Sequence, residues 1–358
     1  MTGLWVIAHE CGHRAFASQD WINYLVGHIL HTLLLVPFHP WRISHANHHS
    51  NTNCIEHDEV FVPATYDARE QLAAQNKKHD SSSDTSSAWH RTTHKVEEAF
   101  ATSPLGALFS VSRVAIVGWP AYLAINASGP EKYVGARNSH FEERSELFTK
   151  GERSFVRESM YWFAAVATGL ALLTMTVGAD TMAAHYIVPY LVVNAHLTLI
   201  TYLQHTDSYV PHWHEAEFTF LRGALATVDR SWGVVRDILF HHIADSHVVH
   251  HLFSDMPFYN ALKATEILEG WEDFQKYRLK DDTPIWRALL RSGERCRVVP
   301  SGGSVCWYED GRVTCLDPAV VLAGGSGGIG KGKEVSVELD LGEQAGEQKE
   351  QDEDMAGQ

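Results

Sequence analysis

Apolar residues in this chain are gathered into a few long runs, and strongly polar stretches separate the runs. Residues 161–177 and 186–203 form two runs close to the lower limit of about 17 residues for a helix that crosses a bilayer. The segment 129–157, just before them, carries six basic side chains, as cytosolic loops do. The pattern predicts a transmembrane hairpin whose outer turn lies near residues 178–185.

Two further apolar stretches are predicted to lie along the membrane face. Residues 21–38 fall within a spacer of only 31 residues between two histidine-containing motifs, whereas two crossings would need about 40 residues. We therefore expect an interfacial or re-entrant helix there. Residues 105–125 contain Arg113 and are interrupted by Pro120. A charge inside a bilayer costs several kcal/mol, so this stretch is the weakest candidate for a crossing.

Polar composition marks other parts of the chain. Residues 64–100 contain the low-complexity run NKKHDSSSDTSS, and the chain is rich in Gly, Glu, Lys and Asp from Gly324 onward. Such segments cannot bury a core, so an inserted loop and a disordered acidic tail are predicted. The formal net charge is -15, which argues against a nucleic-acid partner because nucleic acids bind basic surfaces.

Three short histidine motifs carry the candidate chemistry. HxxxH occurs at 9–13 (motif one), and HxxHH occurs at 45–49 (motif two) and at 247–251 (motif three). Side chains three and four residues apart share one face of a helix, so the imidazoles of each motif can converge. One such motif could be a polar surface helix, but three of similar design indicate metal binding. The motif histidines are His9, His13, His45, His48, His49, His247, His250 and His251.

The number and type of donors constrain the metal. Eight histidines exceed the ligands of one zinc ion, since structural zinc takes four and catalytic zinc three plus water, so two ions are expected. The five cysteines include no CxxC pair, which sets a zinc finger aside. Copper remains open, and a nitrogen-rich site without thiolates also suits oxygen-activating non-haem iron.

Five segments of the chain carry a family resemblance: HECGH (9–13), HANHHSNTNCIEHDEVFVP (45–63), TYLQHT (201–206), RGALATVDR (222–230) and HVVHHLFSDMPFYNA (247–261). The chain resembles the membrane-bound fatty acyl desaturases, and within them the oleate Δ12 (omega-6) acyl-lipid desaturases. The resemblance runs from about residue 3 to about residue 310, with a gap at 64–100. It implies an all-α integral membrane protein with two non-haem iron ions, for which O2 is a co-substrate. It also adds His205 as a ninth ligand.

The resemblance further implies a reaction and its partners. An oleoyl chain on a membrane glycerolipid would become a linoleoyl chain, with electrons from cytochrome b5 and its NAD(P)H-dependent reductase, or from ferredoxin if the protein is plastidial. The expected location is the endoplasmic reticulum membrane, with the metal site cytosolic, rather than a plastid membrane. Glu10 favours the Δ12 reaction, because omega-3 relatives typically have aspartate there.

Other functions fit the same motifs. An omega-3 desaturase, an acyl hydroxylase or an alkane hydroxylase would use the same metal centre. A non-enzyme alternative is an inactive, N-terminally truncated fragment, because only eight residues precede His9, whereas family members have a transmembrane hairpin before motif one. Metal content would separate an enzyme from the inactive form.

Some acidic and histidine side chains near the motifs are expected to support the site without binding the metal. Glu10, Asp58, Asp229 and Asp245 could accept the free N–H groups of ligand imidazoles and so fix their tautomer and direction. The alternative is that these carboxylates face solvent or cap helices. Gly12 is expected to let another element approach motif one closely. His28 and His31, within the predicted interfacial helix, are expected to pack or line the substrate site.

The position of the motifs implies a topology. If motifs two and three build one site, an even number of crossings separates them, and the hairpin at 161–203 supplies two. That hairpin would return His205 to the cytosolic face. The predicted divisions are motifs one and two with the interfacial helix at 1–63, the inserted loop at 64–100, the membrane region at 101–204, a cytosolic cap with motif three at 205–315 and the acidic tail at 316–358.

Overall fold

Helices dominate the computed structural model, which describes residues 1–67, 100, 103–303 and 305–308. Every β-strand in these ranges is only two residues long, so the predicted all-α fold is confirmed. Most of the predicted inserted loop 64–100, and all of the predicted tail 316–358, lie outside the described residues. The helices are α1 Thr2–Gly12, α2 Asp20–Leu33, α3 Phe38–Asn51, α4 Pro104–Ile125, α5 Arg153–Val177, α6 Ala179–Met182, α7 Val188–His205, α8 Phe220–Leu225, α9 Val234–Leu239, α10 His247–Leu252, α11 Phe258–Leu268, α12 Glu272–Tyr277 and α13 Ile285–Arg295.

The segment predicted as a transmembrane hairpin forms two long apolar helices, α5 and the continuous pair α6–α7, which a π-helical turn at Ala183–Ile187 connects. The chain reverses at Gly178, whose φ of +86° suits glycine and is costly for other residues. The outer turn is tighter than the sequence predicted, because residues 179–187 are helical. Tyr161 is 70% exposed and Met175 is 82% exposed, so α5 presents an apolar surface suited to lipid.

Helix α4 is also long and apolar enough to cross a membrane, but both of its ends contact the protein body around the histidine motifs. Near its start, a Cβ atom on Gly293 of α13 would lie 3.1 Å from the Ala107 carbonyl oxygen. Just after its end, the Asn126 amide donates to Glu59 at 3.2 Å. The expected position of α4 along the membrane face stays a prediction.

The segment predicted as interfacial becomes α2, and the chain then bends by 105° into α3. The two helices pack tightly against each other. A Cβ atom on Gly27 of α2 would lie only 2.3 Å from the ring of Phe38 at the start of α3, so this contact requires glycine. The bend sends α3, which carries motif two, back toward motif one on α1.

The cap consists of α8 to α13 and two short strand pairs. Strand β1 His212–Trp213 pairs antiparallel with β4 Val305–Cys306, and β2 Val228–Asp229 pairs in parallel with β3 Leu279–Lys280. Val248 and Val249, between the histidines of motif three, are buried against Phe274 of α12. The apolar face of α10 is thereby fixed on the cap, and its histidines turn toward motifs one and two.

Candidate metal centre

The nine histidines predicted as ligands lie together in the structure. His247 contacts His205, with 3.1 Å between their Nε2 atoms, and His49 stacks on His251 with ring centroids 4.0 Å apart. Ring nitrogens within 4.8 Å of one another form a first group of His9, His13, His45, His49 and His250, and a second group of His48, His205 and His251. The two groups adjoin through the stacked pair, and His247 extends the second one.

The spacing of the ring nitrogens matches a shared ion. The Nε2 atom of His9 lies 2.9 Å from that of His45 and 3.3 Å from that of His13, and His45 and His49 are 3.1 Å apart by the same measure. Two imidazole nitrogens that bind one metal ion at about 2.0–2.1 Å, at angles between octahedral and tetrahedral, lie about 2.9–3.4 Å apart. The first group therefore has the geometry of ligands around a common point.

Unpartnered nitrogen atoms support the same interpretation. The Nε2 atoms of His250 and His251 are buried and have no hydrogen-bond partner in the described structure. On His251 the opposite nitrogen, Nδ1, lies 3.0 Å from the Thr52 hydroxyl, so Nε2 is the atom left facing the cluster. A buried polar atom without a partner is costly, and a metal ion would remove that cost. All nine donors are nitrogen, which suits iron, zinc or copper.

Helix packing brings the motifs together. His9 and His13 are four residues apart at the end of α1, and His45, His48 and His49 lie on α3. A Cβ atom on Gly12 would lie 2.9 Å from the Trp41 ring. The close approach predicted at Gly12 is therefore found in the structure, and α3 is the element that approaches.

Two carboxylates lie where the sequence hypothesis places them. Asp58 accepts from Nδ1 of His48 at 2.6 Å and is itself held by the backbone N–H groups of Asn53 and Glu59. Glu10 lies 3.3 Å from Nδ1 of His9 and accepts from the Phe258 backbone N–H at 2.9 Å. A proton held on Nδ1 leaves the lone pair of each imidazole on Nε2, the nitrogen that faces the cluster.

Asp229 and Asp245 have other partners than the predicted ones. Asp229 accepts from the Val248 backbone N–H at 2.9 Å and from Arg278 at 2.6 Å. The Asp229 carboxylate thus accepts from a backbone N–H in the first turn of α10, where N–H groups have no acceptor within the helix. Asp245 pairs at 2.9 Å with His242, which is not one of the nine histidines. Each carboxylate therefore accepts hydrogen bonds from groups other than the nine histidines, and neither orients a ligand imidazole.

Burial keeps the imidazoles of motifs one and three neutral. It lowers the pKa of His9 and of His250 to about 3, with neighbouring imidazoles as a further cause. It likewise lowers the pKa of His13, His247 and His251 well below the ordinary histidine value. Metal ligation requires neutral imidazole, so these five donors have the form that binds a metal near neutral pH.

A buried ion-pair network, which sequence reasoning missed, holds the end of α7. Arg230 is 1% exposed and donates to the Leu203 carbonyl oxygen at 3.0 Å and to Asp207 at 2.8 Å. His205 lies between Leu203 and Asp207, so Arg230 binds the backbone on one side of this candidate ligand and a side-chain carboxylate on the other. The RGALATVDR segment marked the position, but spacing could not indicate partners so far away in the chain.

The same network extends into the cap. Asp281, just after β3, accepts from Arg230 at 2.5 Å, and Arg291 of α13 donates to Asp207 at 2.6 Å and to Asp281. Burial alone would raise the pKa of Asp281, but a hydrogen bond from Thr283 and the charge of Arg230 outweigh it and hold the pKa well below its ordinary value. Ion pairs of this network thus connect the end of the apolar helix α7 to the cap.

A third group of His28, His39 and Glu158 resembles a metal site only in its spacing. Nδ1 of His39 accepts from the Arg42 guanidinium at 3.2 Å. The proton of neutral His39 therefore lies on Nε2, the nitrogen that faces Glu158, and no lone pair remains there for a metal. His31 packs against the Trp41 ring at 4.7 Å. His28 and His31 thus lie outside the nine-histidine cluster, as predicted.

A cavity of about 400 Å³ opens onto the cluster. Its walls are mainly apolar, with Val6, Trp119, Leu197 and Ile200 among them. Its volume lies within the range of about 300–1,000 Å³ typical of small-molecule sites. The histidines that line it are His9, His45, His48, His205 and His247. An apolar ligand in this cavity would therefore contact both histidine groups.

Outward-facing apolar helices and a buried polyhistidine cluster with an adjoining apolar cavity define a class of helical membrane proteins with a histidine-lined metal-binding site. The sequence pattern of the family described as "Fatty acid desaturase" matches residues 1–282. The chain belongs to the fatty acid desaturase family.

Several relatives are similar to the chain over most of its length. A Delta(12) fatty acid desaturase of Mortierella alpina is 42% identical over 313 residues, which are 86% of this chain and 74% of the relative. The bifunctional fatty acid conjugase/Delta(12)-oleate desaturase of Punica granatum is 41% identical over 314 residues, 86% of this chain and 72% of the relative. The Delta(12)-fatty-acid desaturase of Arabidopsis thaliana is 40% identical over 316 residues, 87% and 74% of the two chains.

Proposed function

We propose that this protein is an O2-dependent desaturase that places a cis double bond between carbons 12 and 13 of an oleoyl chain, giving a linoleoyl chain. The observation that carries the proposal is the apolar cavity that ends at five of the nine clustered histidines. The Δ12 names of the relatives at about 40% identity support the regiochemistry.

The nine clustered histidines are proposed to hold two non-haem iron ions. The five-histidine group around His9 and His250 would hold one, and the group of His48, His205, His247 and His251 the other. Bound iron supplies the activation of O2, which acid–base residues cannot replace because a methylene C–H is not acidic. In the balanced reaction, two hydrogens leave the acyl chain, two electrons and two protons come from a donor, and O2 becomes two waters.

The walls of the cavity select the carbon atoms that react. The methylenes of an acyl chain are nearly identical in chemistry, so the choice among them depends on position. Trp5 and Trp41 stand beside the histidines, with Trp41 stacked on His45 at 4.5 Å. These rings exclude water from the end of the cavity at the histidines. Leu197 and Ile200 contact the acyl chain along the cavity wall.

The proposed electron donor is cytochrome b5 with its NAD(P)H-dependent reductase, and the proposed location is the endoplasmic reticulum with the histidine cluster on the cytosolic side. One relative, from Glycine max, is named as an endoplasmic reticulum isozyme, which supports the location. The basic loop between α4 and α5 supports the orientation, because basic side chains favour the cytosolic face.

Expression in yeast, which makes oleate but no linoleate, tests the proposal. We expect linoleate in the total fatty acids, measured by gas chromatography with mass spectrometric location of the double bond. The chain is expressed as printed and also behind the N-terminal segment of the Mortierella alpina relative, with empty vector as control. A hydroxylated or conjugated product would assign the chain to another reaction, and no product from either form at matched protein level would contradict the proposal.

A further inference from the structure

A buried hydrogen-bond cluster lies between α3, α4 and the loop that follows α4, outside the nine clustered histidines. Its members are the side chains of Ser44, Tyr122 and His140, which we call the Ser44 cluster. The Ser44 Oγ atom lies 2.8 Å from the Tyr122 hydroxyl oxygen and 2.9 Å from Nε2 of His140. Ser44 is 1% exposed, and His140 is fully buried. Buried polar groups are costly unless they are paired, so three of them at one point need a physical reason.

The positions of the protons in the Ser44 cluster follow from its partners. Ser44 has one hydroxyl proton, which it donates to the Trp41 carbonyl oxygen at 3.1 Å. The Ser44 oxygen then accepts from both neighbours, the Tyr122 O–H and Nε2–H of His140. Burial lowers the pKa of His140 to about 4, so its imidazole is neutral near pH 7 and its one ring proton lies on Nε2. The Tyr122 hydroxyl is therefore held by a directional bond to α3.

This bond ties a wall of the cavity to motif two. Ser44 directly precedes His45 in α3. Trp41, whose carbonyl oxygen accepts the Ser44 proton, stacks on the His45 ring with the centroids 4.5 Å apart. Tyr122 and His45 both line the cavity. The bond between Ser44 and Tyr122 thus sets the spacing between the cavity wall and a candidate metal ligand.

His140 holds the same contact from the loop. Its backbone N–H donates to the Leu123 carbonyl oxygen in the last turn of α4 at 2.9 Å, and its ring centroid lies 4.6 Å from that of Tyr122. His140 therefore binds α4 through its backbone and α3 through its side chain. The end of α4 cannot slide along α3 without breaking one of these bonds.

The spacing matters because neighbouring methylenes of an acyl chain differ only in position. They are about 1.5 Å apart, the length of a C–C single bond, and a displacement of about 1 Å can change a rate by about 100-fold. A wall held only by apolar contacts is free to shift, whereas a hydrogen bond has a narrow range of distance and angle. A wall fixed by the Ser44 cluster presents the same carbon atom to the histidines at each turnover.

We propose that the Ser44 cluster determines which carbon of the acyl chain reacts, because it holds the Tyr122 wall at a fixed distance from motif two. Ser44, Tyr122 and His140 are positioning residues, separate from the nine clustered histidines. The inference rests on the proposed function and assigns the choice of carbon within that reaction.

The test compares double-bond positions in the products of four variants in the yeast strain. Tyr122→Phe removes the hydroxyl and keeps the ring in the cavity wall, and Ser44→Ala removes the shared acceptor. His140→Leu removes the ring N–H donor, whereas His140→Gln can restore a donor near the position of Nε2. Tyr133→Phe is the matched control. Tyr133 is also buried and its hydroxyl bonds to Glu59 at 2.9 Å, but it is not among the described residues that line the cavity.

We expect the share of double bonds at carbons next to the usual position to rise about five- to tenfold in Tyr122→Phe and in Ser44→Ala, as loss of one hydrogen bond predicts. Gas chromatography with mass spectrometric location of the double bond measures this share. His140→Gln should lie closer to the unaltered protein than His140→Leu does. Tyr133→Phe should leave the double-bond position unchanged.

Thermal midpoints, measured by heating followed by fluorescence-detected gel filtration, give a readout that does not depend on turnover. Because Ser44 and Tyr122 share one bond, the shift of the double variant Ser44→Ala/Tyr122→Phe should be smaller than the sum of the single shifts. Less product with every double bond at the usual position would show that the cluster only stabilises the fold, and it would overturn the inference, as would additive midpoint shifts. If the unaltered protein desaturates no acyl chain, the proposed function has failed and the inference fails with it.

Discussion

Replacement of His250 by alanine is expected to abolish linoleate formation, with a loss of at least about 100-fold. Its Nε2 atom is buried and has no hydrogen-bond partner among the described residues. Its ring centroid lies 4.8 Å from that of His9 and 4.7 Å from that of His49. Loss of a residue that only orients a ligand costs about 10–100-fold, so loss of a ligand should cost more. Linoleate content in yeast, normalised to the amount of protein by immunoblot, measures the effect.

His185→Ala is the matched control for this prediction. His185 is exposed in the outer turn, and its Nδ1 atom lies 3.0 Å from the Thr181 carbonyl oxygen of its own helical segment. Its removal should leave linoleate formation within about twofold, as expected for a surface change. Full activity of the His250→Ala protein would remove this histidine from the proposed site, and inactivity of both variants would show that histidine loss acts through expression or folding.

Arg230→Ala is expected to destabilise the protein by about 3–5 kcal/mol, the usual cost of leaving a buried ion pair without one partner. The guanidinium is 1% exposed and pairs with Asp207, which is fully buried, and with Asp281. Because Arg230 also bonds the Leu203 carbonyl oxygen, His205 should lose its fixed position together with the stability. We expect lower thermal stability, measured by heating followed by fluorescence-detected gel filtration, together with loss of linoleate.

Arg222→Ala separates this effect from a general loss of positive charge. Arg222 is 40% exposed in its side chain and pairs with the half-exposed Glu217 at 3.5 Å. Exposed pairs contribute about 0–1 kcal/mol, so this variant should keep its thermal midpoint and its activity. An Arg230→Ala protein as stable as the Arg222→Ala protein would show that the network does not hold α7 to the cap.

Sequence spacing predicts the parts of the site that belong to one helix. Three and four residues between histidines place them on a shared helical face, and the structure indeed brings His45, His48 and His49 toward His250 and His251. His205 stands alone in its segment, so only the family resemblance indicated it. The structure shows its neighbours, His48 and His247, because α7 ends beside the cap.

Contacts between distant segments could not be predicted in the same way. For Asp229 the sequence left two roles open, orientation of an imidazole and capping of a helix, and the structure shows the second, because Asp229 accepts from the Val248 backbone N–H. The outer turn was expected to span several residues, and a single glycine at Gly178 reverses the chain instead. Arg113 was noted in the sequence only as a charge within an apolar stretch, and its place in the cavity wall depends on the packing of α4 against α7 and α13.

The metal content of the purified protein shows whether the nine clustered histidines hold two iron ions. Protein is purified from cells grown with iron, zinc and copper, and the bound metals are measured by inductively coupled plasma mass spectrometry against protein determined by amino-acid analysis. We expect two iron ions per chain, with fewer in the His250→Ala protein. A chain that is folded by gel filtration and holds no metal, a single ion, or zinc or copper in place of iron would contradict it.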